Sequence, residues 1–356
     1  MVTRLMRFLS LLMVGVAVIS SVLFLGNPDL HAEALEADLI SEETGQSVLA
    51  LMRDDSQIIS ASVQDTMQGQ LRIELPANVD ADRVEVINDY MDETIEIVIE
   101  GIDQSYFYDY PMIGTAEHIS DIYYDCISGT GTIDIMLDSV YEPEIVMDGN
   151  YMYISFLDPH EVYDYIVVVD AGHGGKDVGA SQGDVLEKDI NLAIVQKIQT
   201  LFEENAAGLN IGVYYTRTED VKVSLDDRVG LANALDADLF LSVHINSTSS
   251  GRTSQINGTE VMYLVADDTG ASKQFASICL EHLLDTLGSN SKGLVAGDTI
   301  KIIRTSEVPV ALAEIGFMTN ETERTLLTTD DYQQKAAQAL YDAVVEALQD
   351  TTVNPQ

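Results

Sequence analysis

The feature that most constrains this chain is Ile166-Val167-Val168-Val169, four β-branched residues in a row that lead into Asp170-Ala171-Gly172-His173-Gly174-Gly175. Such a run predicts a strand buried on both faces, which favours a parallel sheet. Glycines on either side of His173 free the backbone for positive φ and let a neighbour approach closely. A histidine at the carboxyl end of a buried strand sits where open α/β sheets place their ligands. The glycine spacing is not the G-x-G-x-x-G of dinucleotide-binding turns. Taken alone, a tight turn with a satisfied histidine explains the stretch as well as a ligand does. Glu187 follows where Ile190, Ile194, Ile198 and Leu201 set a helical period.

Strands and helices continue to alternate across residues 166–350. Ile211 to Arg217 reads as a strand, Leu225 to Leu235 as a helix, and Leu239 to Ile245 and Thr259 to Val265 as strands. Ala271 to Leu287 reads as a helix, Thr299 to Ile303 and Val310 to Phe317 as strands, and Tyr332 to Leu348 as a closing amphipathic helix. This order predicts an α/β domain, a mainly parallel sheet with helices on both faces.

Residues 56–158 follow a different period. Gln70 to Leu75, Arg83 to Ile87, Thr94 to Ile99, Thr132 to Leu137 and Tyr151 to Phe156 alternate polar and apolar side chains between turn residues. Short strands at this spacing predict an all-β, sandwich-like domain ahead of the α/β domain. Its Tyr106-Phe107-Tyr108-Asp109-Tyr110 run is read as the core and edge aromatics of a strand, in preference to a sugar-stacking surface.

The amino terminus carries Arg4 and Arg7 and then an uncharged run from Phe8 to Leu25. Residues 1–32 are therefore read as an export segment, with a cleaved signal and a retained membrane anchor through residues 8–25 fitting equally. Residues 33–55 read as an acidic linker. With 59 acidic against 18 basic residues the 356-residue chain has a formal charge of −41. That surface repels phosphate polymers, which excludes nucleic acid as a partner. Cys126 and Cys279, the only cysteines, exclude a disulfide scaffold or a thiolate zinc site and read as small buried apolar residues.

Two further stretches bear on His173. Phe240-Leu241-Ser242-Val243-His244-Ile245-Asn246 again ends a buried strand in a histidine, and Glu314 is the only charge in the apolar strand Val310 to Phe317. A carboxylate in that setting without a partner costs several kcal/mol, roughly, or takes up a proton. Two imidazoles and one carboxylate are the ligand set of hydrolytic zinc sites. A second carboxylate, not a ligand, is then the base that moves the proton. His173, Glu187, His244 and Glu314 fill those four places.

These residues resemble the zinc-dependent N-acetylmuramoyl-L-alanine amidases of bacterial cell walls, of the amidase-3 type, over about residues 165–349. Asp170 to Gly175 is similar to that family's first zinc motif, and Leu186-Glu187-Lys188-Asp189-Ile190-Asn191-Leu192 to its second. Thr216-Arg217, Arg228, Ala232-Asn233 and Ser242 to Asn246 are similar to its middle section, and Pro309 through Glu314 to Asn320 to its last. The resemblance implies zinc held by His173, Glu187 and His244, with Glu314 as the catalytic glutamate. It implies hydrolysis of the amide between N-acetylmuramic acid and L-alanine in peptidoglycan, outside the cytoplasm. The β-domain resembles, loosely, the AMIN-type wall-binding modules that precede such enzymes. One strand, one helix and another strand fill the segment between His244 and Glu314, so an open site with no obligatory protein activator is expected. A peptidoglycan-binding protein without activity, and a zinc peptidase cutting within the stem peptide, are the alternatives.

Overall fold

The computed structural model describes residues 69–354, apart from 78, 80–82 and 206. The expected export segment and the acidic linker lie outside the described residues. No helix among the described residues is long and apolar enough to cross a membrane.

The amino-terminal part is built from β1 (Leu71–Glu74), β2 (Val84–Asp89), β3 (Thr94–Glu100), the short helix α1 (Tyr106–Asp109), β4 (Ile113–Gly114), β5 (Ile119–Ile127), β6 (Thr130–Leu137), β7 (Glu142–Asp148) and β8 (Tyr151–Leu157). Two four-stranded antiparallel sheets form, in the orders β4-β1-β8-β7 and β2-β3-β6-β5. Period-two alternation puts Leu71, Ile73, Ile95, Ile97, Ile133 and Ile135 into one core between them, as a sandwich requires. The aromatic run at residues 106–110 is not a strand. It forms α1, where Tyr106 and Tyr110, four residues apart, stack at 4.7 Å and the buried Tyr106 hydroxyl donates to Glu74 O. Cys126 also departs from expectation, being only half-buried, with its Sγ donating to Ile102 O.

The second part continues with α2 (Pro159–Val162), β9 (Tyr165–Ala171), β10 (Ser181–Gln182), β11 (Val185–Leu186), α3 (Glu187–Glu204), β12 (Ile211–Tyr215), α4 (Leu225–Ala234), β13 (Leu239–Asn246), β14 (Thr259–Tyr263), α5 (Ala271–Leu287), β15 (Ser291–Ala296), α6 (Lys301–Arg304), β16 (Val310–Phe317), α7 (Glu321–Leu327) and α8 (Asp330–Gln349). Its six-stranded sheet has the order β12-β9-β13-β16-β14-β15. Neighbours run parallel except β14 against β16. The β-branched run of β9 serves both faces: Val167 and Val169 join the core under α3, α5 and α8, while Ile166 and Val168 join the core under α4 and α6.

The strand expected at Thr299 to Ile303 is instead the turn of helix α6, and the neighbour of β14 is β15. A short apolar pair such as Ile302-Ile303 does not distinguish strand from helix by period; here both side chains bury on the α4 side of the sheet. Helix α7 was not anticipated. Asn320 caps it, accepting from the backbone of Thr322 and Glu323.

The two parts touch along β12, an edge strand. The Tyr90 hydroxyl donates to Tyr215 O at 3.1 Å and accepts from Tyr215 N at 3.0 Å. The Tyr90 ring meets Tyr214 edge-on at 5.1 Å, and the Tyr214 hydroxyl donates to Glu142 Oε1 at 2.5 Å. Val140 is buried in the same cluster as Ile166, Val168 and Phe240. Replacing Tyr90 by Phe should cost about 1–2 kcal/mol and speed hydrogen exchange at the Tyr215 amide. Unchanged protection of that amide would show that Tyr90 does not seal the edge.

Candidate metal and catalytic centre

Side-chain parity along three adjacent strands assembles the site. On β13 the odd positions Leu241, Val243 and Ile245 enter the core under α3 and α5, which turns Phe240, Ser242 and His244 to the opposite face. On β16, Val310 and Leu312 point to that same opposite face, and Glu314 follows them. His244 and Glu314 are register neighbours, and Glu260 of the antiparallel β14 lies next to Glu314. Three ionisable side chains thus stand in a row at the carboxyl ends of β13 and β16, where ligands gather in open sheets.

The row rests on a buried charge. Asp170 is fully buried; its Oδ1 accepts from Thr216 at 2.6 Å and from the Arg228 guanidinium, and its Oδ2 accepts from Ser242 at 2.6 Å. Burial pushes the Asp170 carboxyl up, but Arg228, His244 and the two hydroxyls override it and hold it below the usual carboxylate range. Arg228 also donates to Ala171 O and His173 O, and Arg217 to Ala171 O and Gly172 O. These donors hold the backbone of the His173 loop, including His173 itself at φ +61°, a left-handed conformation that an ordinary side chain adopts only when surrounding bonds enforce it.

Glu187 opens α3, where its charge also suits the helix amino terminus. Its Oε2 accepts from Ala180 N at 2.7 Å and its Oε1 from Ile245 N at 3.1 Å. Oε1 lies 3.3 Å from His173 Nε2 and 2.9 Å from His244 Nδ1. Burial alone would raise the Glu187 carboxyl; the two imidazoles reverse that and hold it far below its ordinary value. His173 turns its other nitrogen, Nδ1, to Asp177 Oδ1 at 3.1 Å. Burial lowers its pKa, and the Glu187 and Asp177 carboxylates more than restore it, so the net shift is upward.

One ligand atom from each of His173, Glu187 and His244 lies within 4.8 Å of the others. A tetrahedral zinc with bonds of about 2.1 Å separates its ligand atoms by about 3.4 Å, and the separations from Oε1 fall close to that. The donor chemistry also fits: two imidazoles, one of them oriented by a carboxylate as metal-bound histidines commonly are. Glu314 stands beside this group. Its Oε2 is shut off from solvent and has no hydrogen-bond partner. Burial, with the Glu187 and Glu260 charges adding to it against the two histidines, pushes the Glu314 carboxyl up to about 7. A carboxyl in that range can both take and return a proton near neutrality.

The structure therefore brings His173, Glu187, His244 and Glu314 together. The residues beneath and around them carried weaker signals. Asp177 and Glu260 sit in no recognisable spacing, whereas Arg217 and Arg228 lay inside family-like stretches without a role attached. Gly172 has a steric reason to lack a side chain, since a Cβ there would fall 2.3 Å from the His244 ring.

The fold is an open α/β sheet that carries a candidate metal-binding group beside a buried carboxyl at the carboxyl ends of its parallel strands. Residues 167–346 match the family described as N-acetylmuramoyl-L-alanine amidase, and the chain belongs to that family of enzymes. It is 36% identical over 179 residues to the uncharacterised Bacillus subtilis protein YqiI, covering 50% of this chain and 82% of that one. It is 35% identical to the N-acetylmuramoyl-L-alanine amidase LytC of Bacillus subtilis, covering 50% of this chain but only 34% of LytC. Among solved structures, the catalytic domain of CwlV, the N-acetylmuramoyl-L-alanine amidase of Bacillus (Paenibacillus) polymyxa var. colistinus, is 34% identical, with a TM-score of 0.47; the match covers 52% of this chain and 98% of that one.

Two substitutions probe the geometry. Asp170→Asn leaves Arg228 buried without its counter-charge and should cost about 3–5 kcal/mol. Because the Asp170 pKa is depressed in the fold, its stabilisation is present above the unfolded carboxylate pKa of about 3.9 and is lost as pH falls through the lower folded value. Denaturant melts from pH 6 down to pH 2 should therefore show a steeper acid loss in the wild type than in the variant. Gly172→Ala should displace His244 and weaken divalent-cation binding by about tenfold or more, read by calorimetric titration; unchanged affinity would mean the His244 position tolerates the methyl group.

Proposed function

We propose that this chain is a zinc-dependent peptidoglycan amidase that hydrolyses the bond between N-acetylmuramic acid and the L-alanine of the stem peptide. The observation that carries the reading is the juxtaposition of a His173–Glu187–His244 donor set with Glu314, a buried carboxyl whose Oε2 has no partner. The family match and the amidase names of LytC and CwlV support the substrate class.

In this reading His173, Glu187 and His244 would hold zinc. When bound, zinc supplies Lewis acidity that polarises the scissile carbonyl and lowers the pKa of water. Glu314 accepts the proton of the attacking water and returns it to the leaving amine of L-alanine, which departs as a neutral amine. Asp177 orients His173 through Nδ1, and Ile245 N and Ala180 N keep both Glu187 oxygens in place. Asp170, through Arg228, keeps the His173 loop from relaxing.

The wall-binding role is assigned to the β-sandwich, and the catalytic domain to residues 166–350. The enzyme acts outside the cytoplasm and needs no protein activator. In support of the last point, α5 buries Phe275, Ile278, Cys279 and Leu283 in the core with α8, away from the His244 face. The test uses the full chain: zinc content, and mass spectrometry of fragments released from peptidoglycan. About one zinc per chain and intact stem peptides beginning at L-alanine are expected. A stem peptide beginning at an internal residue would replace the reading with a peptidase, and zinc with no soluble peptide would favour a wall-binder. Glu314→Gln should keep zinc and lose about 100- to 10,000-fold in kcat, whereas His244→Ala should lose both zinc and turnover. Ordinary turnover by Glu314→Gln would refute its role as the proton carrier.

A further inference from the structure

Glu260 is a second carboxylate beside Glu314. It stands on β14 directly opposite Glu314 in an antiparallel pair, where facing Cβ atoms lie about 4.5–5.5 Å apart. Both side chains turn to the face of His244. Met262, two residues beyond Glu260, packs with Leu312 on that side, whereas Val261 enters the core under α5. The order across the sheet is therefore His244 on β13, Glu314 on β16 and Glu260 on β14.

Like charges that face each other across an antiparallel pair are destabilising, and a cation between them would relieve the cost. Among the described residues neither carboxyl has a lysine or arginine as ion-pair partner. What holds Glu260 is one amide: Asn246 Nδ2, two residues beyond His244, donates to Glu260 Oε1 at 2.7 Å. That bond fixes the carboxylate and leaves Oε2, which accepts from no described side chain, for another donor. Glu260 is half-buried, and the neighbouring Glu314 Oε2 is shut off from solvent without a partner. Two oxygens on adjacent strands thus call for one donor between them.

The nitrogen of a scissile amide is such a donor. To take a proton from Glu314 it must lie within hydrogen-bond reach of that carboxyl, which brings it to a carboxylate one strand further on. As the nitrogen gains the proton it turns from a neutral amide into a positively charged leaving group. Hydrogen bonds with an ionised partner are roughly twice as strong as neutral ones and strengthen again when both partners are charged. A contact from the nitrogen to Glu260 therefore grows along the reaction, and an interaction that is stronger in the transition state than in the bound substrate raises the rate.

We propose that Glu260 is a further catalytic residue, which holds the leaving nitrogen: its Oε2 accepts from the scissile N–H and then from the amine formed as the C–N bond breaks, with Asn246 aiming the carboxylate. This rests on the amidase reading above. Glu314 delivers to the nitrogen the proton it took from water, the electron pair of the broken C–N bond stays on nitrogen, and Glu260 accepts a hydrogen bond without taking a proton. The released amine, protonated by solvent at neutral pH, is the cation that the two facing carboxyls lack.

The test titrates two probes into the full-length zinc enzyme at pH 7: a stem tripeptide that begins with L-alanine, and the same peptide with propionyl in place of L-alanyl, which lacks only the amine. The wild type should bind the amine-bearing peptide about tenfold or more tighter. In Glu260→Gln, which keeps an oxygen for Asn246, the two affinities should become equal while zinc content and propionyl-peptide affinity stay at the wild-type level. On a muramoyl peptide the same variant should lose about 10- to 100-fold in kcat with little change in KM. A wild type that does not distinguish the probes, or binds neither at millimolar concentration, overturns the role. So does a preference that persists in Glu260→Gln, as it would if the amine met the metal or if Glu260 only braced Asn246. Should Glu260→Gln lose zinc or unfold, Asn246→Ala decides: a reduced preference for the amine supports the role, and an unchanged one overturns it. Failure of the wild type to release peptide from the muramoyl substrate would count against the amidase reading instead, and the two probe affinities would still decide the role of Glu260.

Discussion

The ion pair between Asp170 and Arg228 is the interaction on which the centre depends. A carboxylate with no solvent access at the end of a central strand is tolerable only with compensating charge and hydrogen bonds, and here a guanidinium and two hydroxyls supply them. The compensation is directional. The same guanidinium that neutralises Asp170 also ties down the carbonyls of Ala171 and His173, so the cost of burying the charge is offset by contacts that set the shape of the His173 loop. Arg217 repeats the device one layer out, reaching Ala171, Gly172 and Lys188 through their carbonyls. The histidine at positive φ is held by charge lying beneath it.

From that base the geometry follows from strand arithmetic. Residues two apart share a face, so Asp170 and Ser242 share the face of His244 and Glu314, one polar layer below them. One residue of slip in β13 or β16 would turn His244 or Glu314 into the core under α5. The apolar alternation on both faces prevents that slip. The residues that select the register, Leu241, Val243, Leu312 and Ala313 among them, therefore position the site as firmly as any hydrogen bond does.

Much of this was legible in the chain. The β-branched run of β9, the histidine ending β13 and the lone charge in β16 are local signals, and each named its residue and its place on the sheet. The bounds of α5 and β16 could be read from period alone. Missing were the elements and partners that only tertiary packing determines. Residues 299–303 are too short a pattern to separate a helical turn from a strand, and Tyr106 to Tyr110 carries aromatics that suit either. Asp177 and Glu260 reach the site through a loop and through the antiparallel strand β14, neither of which spacing can anticipate. The hydroxyls of Thr216 and Ser242 are ordinary strand residues until a buried carboxylate is found between them.

The seal that Tyr90 places on β12 has a consequence for how the two parts coexist. An edge strand offers a row of unpaired donors and acceptors to any other strand that meets it. At the far edge, β15 carries Lys292, an exposed ammonium of the kind that discourages such pairing. β12 is Ile-Gly-Val-Tyr-Tyr and has no charge of its own. Its protection is borrowed: the β-sandwich lends a phenol to the backbone and Val140 to the apolar face. The amino-terminal part thus covers the one border of the six-stranded sheet whose strand carries no charge of its own.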